Sequence, residues 1–84
     1  MEGVSNPRAE LPVNNAKYVR MCSEMYLGRK GIMFLGNFEG FDNLTDLWIN
    51  DNEVNSYMSI SLIRVCTILH KQLKCVVDYI NNRP

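Results

Sequence analysis

Charge of one sign is what this sequence most plainly lacks. Nine basic and nine acidic residues cancel to a formal net charge of +0 over 84 residues. The long-range field that draws proteins to nucleic acid or to an anionic membrane surface is therefore missing. No apolar run comes near the ~18–20 residues of a membrane span. The opening MEGVSNPRAELPVNN has no apolar stretch behind a positive charge, so a secretory signal is not expected. Cysteine is scarce and odd in number, with Cys22, Cys66 and Cys75 scattered along the chain, which does not make a disulfide framework. A reducing compartment is the simplest fit, the cytoplasm first, with the nucleus also open. The sequon at Asn43-Leu44-Thr45 is then expected to stay unmodified.

Catalytic and metal chemistry is thin as well. Neither G-x-x-x-x-G-K nor G-x-G-x-x-G occurs, so no phosphate cradle is predicted. Cys66 and His70 stand four apart, with Cys75 nearby, but a structural zinc site needs four ligands. Cys22 would have to supply the fourth from far earlier in the chain. A Cys–His hydrolase lacks an orienting acid and a pair of oxyanion donors. Glu39, Asp42, Asp46, Asp51 and Glu53 read as a solvated surface. The expectation is a non-catalytic chain with no cofactor and no metal.

What is present is a repeat. The segment Leu44-Thr45-Asp46-Leu47-Trp48-Ile49-Asn50-Asp51-Asn52-Glu53-Val54 fits L-x-x-L-x-L-x-x-N-x-L at every defined position. Twenty-two residues earlier the frame recurs at Cys22, Met25, Leu27 and Ile32, and fails only where Lys30 replaces the asparagine. Between the copies Ile32, Leu35, Phe38, Phe41 and Leu44 are spaced by three. A 3₁₀ turn keeps such residues on one face, whereas an α-helix rotates them off it. The frame runs on through Val54, Tyr57, Ile60, Ile63, Cys66 and Leu69, and backwards it reaches Val19, Ala16 and Val13. At a third repeat it fails, because Lys71 falls on an apolar position and Lys74 on the asparagine. A helical period takes over instead, at Leu62, Val65, Cys66, Leu69, Leu73, Val76, Val77 and Ile80. Asn81, Asn82 and Pro84 would end that helix.

On a strand Leu47 and Ile49 point to one side, and Asp46, Trp48 and Asn50 to the other. Met25 and Leu27 repeat the arrangement, with Glu24, Tyr26 and Gly28 outward. Asn52 sits where the backbone leaves the strand, and its amide is expected to satisfy backbone groups that the turn leaves open. Lys30 cannot accept a hydrogen bond, so the first repeat is expected to be looser there or its lysine stem to reach outward. Tyr26 and Trp48, 22 apart, should be neighbours on adjacent strands.

The segment LTDLWINDNEV and its 22-residue frame resemble a leucine-rich repeat, in the class found in cytosolic and ciliary proteins, over about residues 22–57. The resemblance implies a binding scaffold that holds a protein partner on the concave sheet face. Carried over residue by residue, the partner-binding set is Glu24, Tyr26, Arg29, Asp46, Trp48, Asn50 and Asp51. Gly28 lies beside it, and Leu44, Leu47, Ile49, Asn52 and Val54 are the structural frame.

The predicted fold is α/β: a short leucine-rich-repeat solenoid with about two parallel strands, 3₁₀ or irregular return paths and a C-terminal amphipathic helix. Residues 1–12 are expected as a flexible leader, 13–59 as the repeats with a degraded half repeat in front, and 60–84 as a helix serving as cap or replacement tail. The expected function is protein–protein interaction, without nucleic acid or membrane. The alternative is a truncated isoform or fragment that self-associates, or pairs with other leucine-rich repeats, through an open edge.

Overall fold

The computed structural model of the chain describes residues 3–53 and 56–76. Val54, assigned to the structural frame, and Val77, Ile80, Asn81, Asn82 and Pro84 of the expected helix lie outside the described residues. In chain order come a 3₁₀ turn at Pro7–Glu10, helix α1 (Ala16–Met21), strand β1 (Glu24–Tyr26), strand β2 (Asp46–Trp48), helix α2 (Ser56–Leu69) and strand β3 (Lys74–Val76). The three strands form one parallel sheet in the order β1-β2-β3. The architecture is a small mixed α/β arrangement.

Alternation sets the faces of the sheet. Met25 and Leu47 are buried partners in register, while Glu24, Asp46, Tyr26 and Trp48 stand on the other face. Leu27 and Ile49 extend the buried side just past the strand ends. The first crossover supplies the opposite wall. Ile32, Leu35, Phe38, Phe41 and Leu44 are all buried, as their spacing of three predicts. The path is a chain of tight turns rather than a continuous 3₁₀ helix. Phe41 N–H donates to the Phe38 carbonyl at 3.1 Å and Leu44 N–H to that of Phe41 at 3.2 Å, each a three-residue step.

The second crossover is built differently. β1 and β2 pair at an offset of 22 (Glu24↔Asp46), but β2 and β3 pair at 28 (Asp46↔Lys74). The added length holds α2, which buries Met58, Ser61, Val65 and Leu69. Tyr57, Ile60 and Ile63, which the continued frame would turn inward, face solvent. Buried Ser61 ties the two crossovers together: its hydroxyl donates to the Met58 carbonyl at 2.9 Å and accepts Leu35 N–H at 2.9 Å.

Here the expected helix over 60–84 is corrected. It begins earlier and stops at Leu69, and Lys74–Val76 form a third strand rather than a helical turn. The stop is a left-handed residue, His70 (φ 56). Its N–H donates to the Thr67 carbonyl at 3.2 Å and Lys71 N–H to that of Cys66 at 3.1 Å. These are the two reverse bonds of a Schellman ending. Lys74 is the register partner of Asp46, not of Asn52.

Residues 3–12, expected as a loose leader, are docked along the first crossover. Val4 bridges Phe34 in parallel, and Ser5 N–H donates to the Phe34 carbonyl at 3.1 Å. The buried Ser5 hydroxyl donates to the Gly36 carbonyl at 2.7 Å and accepts Gly36 N–H at 2.8 Å. The crossover leaves backbone groups of Met33, Phe34 and Gly36 unpaired within its own turns, and the arm satisfies them. Pro7, buried, opens the 3₁₀ turn, where its missing N–H costs nothing. The expected half repeat over Val13, Ala16 and Val19 is instead mostly α1, capped by the Asn15 side chain accepting Tyr18 N–H at 3.0 Å. Of its three frame residues only Val19 is buried.

Candidate functional site

The solvent face of the sheet is arranged in rows set by the parallel register. One row runs Glu24, Asp46, Lys74, and the second holds Tyr26 and Trp48. In the second row Tyr26 and Trp48 stack with ring centroids 4.4 Å apart and planes at 21°, an offset geometry that aromatic quadrupoles favour. Tyr26 is 57% exposed and Trp48 half-buried. The chain's one tryptophan is thus spent on an open face rather than in the core.

Carboxylates border this stack. Tyr26 Oη donates to Glu24 Oε1 at 3.2 Å. Asp46, the register neighbour of Glu24, lies 2.8 Å from the Thr45 hydroxyl. Desolvation against its neighbours, the Glu24 hydrogen bond and the Glu24 and Asp46 carboxylates together hold the Tyr26 phenol above its ordinary range. Among the described residues no lysine or arginine is within ion-pair distance of Glu24 or Asp46.

The rest of the predicted set divides. Arg29 and Asp51 occupy equivalent positions just beyond β1 and β2, both left-handed (φ 58 and 59). They satisfy each other, with Arg29 Nε 3.1 Å from Asp51 Oδ2. Asn50 is half-buried, and its amide donates to Asp51 Oδ2 at 3.3 Å. That amide also covers Gly28, where an added Cβ would stand 2.7 Å from Asn50. Arg29, Asn50 and Asp51 thus form an internally paired rim, apart from the aromatic and acidic rows.

The frame residues hold this surface in place. Leu44, Leu47 and Ile49 are buried beneath it. Asn52 Nδ2 donates to the carbonyls of Leu27 at 2.6 Å and Ile49 at 3.1 Å. Its Oδ1 accepts Lys30 N–H at 2.9 Å and Ile32 N–H at 3.0 Å. The turn after β1 is therefore closed by the asparagine of the next copy, although Lys30 occupies its own asparagine position. The Lys30 ammonium reaches outward to Glu10 Oε2 at 3.2 Å, the second of the two outcomes expected for it.

Two parts of the surface escape the 22-residue frame. Lys74 joins the first row from β3; its signal is the alternation Leu73, Cys75, Val77 in the sequence, which also fits a helix. The other is a cleft of about 290 Å³ beside β1, whose lining includes Glu10, Leu11, Tyr18, Met21, Glu24 and Tyr26. Half of it comes from the N-terminal arm and α1, which carry no repeat pattern.

The cysteines are not a cluster. Burial pushes the Cys22 thiol up, and its S–H lies 3.2 Å from the Glu24 carbonyl. Burial, with Cys66 nearby, pushes Cys75 up to about 11. Among the described residues no three His, Cys, Asp or Glu side chains are grouped to hold a metal ion. No helix among them is long and apolar enough to cross a membrane.

Compared with known proteins, the chain matches no protein-family model, no curated protein and no solved structure.

Proposed function

We propose that this chain is a short leucine-rich-repeat solenoid acting as a non-catalytic protein-interaction module, with the outward sheet face as its binding surface. The observation that carries the reading is the Tyr26–Trp48 stack on the solvent side of the sheet. Tyrosine and tryptophan contribute disproportionately to binding energy at protein interfaces. A cross-strand pair that merely stiffened the sheet would add only ~0.2–1 kcal/mol. The repeat assignment is supported by the 22-residue register of β1 on β2 and by the hydrogen bonds of Asn52 to the neighbouring turn. Neutral net charge favours a protein partner over nucleic acid. The cytoplasm is the compartment we infer, with nucleus or cilium as the alternatives.

Trp48→Ala tests the reading. Partner capture from extract should fall at least tenfold while the far-ultraviolet spectrum and unfolding midpoint stay close to wild type. Undiminished capture by that variant would overturn it.

A second reading has its own observation. The outer side of α2 leaves Tyr57, Ile60, Ile63 and Ile68 exposed, at 46 to 66%. A chain that associates with a second repeat chain, in the manner of a fragment, would cover such a surface.

A further inference from the structure

Resting on the interaction reading above, we propose that the occupant of the sheet face is an arginine-bearing, extended segment of a protein partner. Its guanidinium would lie against the Tyr26–Trp48 stack between Glu24 and Asp46, and a neighbouring apolar side chain would fill the cleft beside β1.

Three observations converge on that chemistry. The first is an arrangement that is poor for folding. Glu24 and Asp46 are direct register partners on adjacent strands, and like charges placed opposite each other destabilise a sheet. Among the described residues neither is paired with a cation. Lys74 continues the same row on β3, so the negative end of the row is the β1 side, next to the cleft.

The second is the aromatic surface itself. A stacked pair with one ring 57% exposed presents a face that attracts a cation. Guanidinium suits it better than ammonium, because it is planar, weakly hydrated and able to meet a carboxylate with two parallel N–H groups. The Tyr26 phenol is held above its ordinary range first by desolvation and then by its Glu24 hydrogen bond and the Glu24 and Asp46 carboxylates.

The third is the cleft. It combines apolar Leu11, Met21 and Met25 with the rings of Tyr18 and Tyr26, and its lining carries two carboxylates and no basic group. One of those carboxylates, Glu10, is already paired with Lys30 at 3.2 Å, which leaves Glu24 to face the occupant. Tyr26 belongs to both the cleft and the stack. An extended peptide passing over Tyr26 can therefore place successive side chains in each.

Trp48 is the chain's one tryptophan, so its emission reads the site directly. The probe is an acetylated, amidated peptide of alternating arginine and leucine, titrated into the full chain at low salt. Its counterparts replace arginine with citrulline, which keeps the shape without the charge, or with glutamate. A saturable change in Trp48 emission is expected with the arginine peptide, with affinity roughly five- to tenfold lower for the citrulline form. Glu24→Gln and Asp46→Asn should each narrow that gap, and added salt should weaken binding of the arginine peptide alone. Equal affinity for the arginine and citrulline peptides would overturn the proposal while leaving the interaction face standing. Saturable binding of the glutamate peptide alone would do the same. No saturable response to any of the three would overturn the proposal and count against the face as well.

Discussion

Single residues decide more here than their size suggests, and Asn52 most of all. Its amide meets backbone groups of Leu27, Lys30, Ile32 and Ile49 at once. Replacing it by alanine leaves several half-buried groups without partners, each worth ~1–3 kcal/mol when fully desolvated. We expect Asn52→Ala to cost about 2–4 kcal/mol in urea unfolding, a large part of the stability of so small a chain. A loss below ~1 kcal/mol would mean that water replaces the amide. Cys75 makes a second prediction at this scale. Its folded pKa of about 11 exceeds the ordinary 9.0, so above pH 9 the unfolded chain releases the proton first. The contribution of Cys75 is fully present below pH 9 and is lost as pH rises toward about 11. Subtracting the urea midpoints of Cys75→Ala from those of wild type at pH 8.5 and 10.5 isolates it. The difference should fall at the higher pH.

Elements show why one crossover was legible and the other was not. In the first, apolar residues occur at every third position, and from Leu35 to Leu44 only polar or glycine residues stand between them, so a turn-based path fits that stretch. In the second, Ile60, Leu62, Ile63, Val65, Cys66, Ile68 and Leu69 are so dense that spacings of three and of 3.6 are both satisfied. Burial shows which one the fold uses: Val65 and Leu69 are inside, Ile60 and Ile63 outside. The end of α2 was hidden because no glycine or proline marks it. His70 takes the left-handed position itself, at ~1–2 kcal/mol for a residue with a Cβ. His70→Gly should therefore raise stability by about 0.5–1 kcal/mol in thermal or urea unfolding. A destabilised variant would show that the imidazole makes a contact worth more than the strain. The site followed the same logic. The outward placement of Glu24, Tyr26, Asp46 and Trp48, which lie within the 22-residue frame, was readable from spacing. That of Lys74 and of the cleft residues of the arm was not, because they belong to segments whose offset is 28 or which have no repeat at all.

The whole molecule is held by contacts between distant segments more than by its elements, since each strand has three residues and α1 six. The N-terminal arm contributes to this through Ser5 and Pro7, both buried. For the interaction module we expect a monomer of 9.7 kDa in sedimentation velocity, with one cooperative unfolding transition. Zero net charge removes the repulsion that keeps copies apart. The exposed side of α2 is then where association would begin. Concentration-dependent sedimentation that Ile63→Glu abolishes would favour the second reading over the first.

The reach of Asn52 also sets an order of events during synthesis. The turn at Leu27 to Ile32 leaves the ribosome some twenty residues before the side chain that closes it. The first copy must wait, open, for the second. A chain interrupted before Asn52 would lack the side chain that joins Leu27, Lys30 and Ile32, and quality control would meet an open turn rather than a smaller version of the same fold.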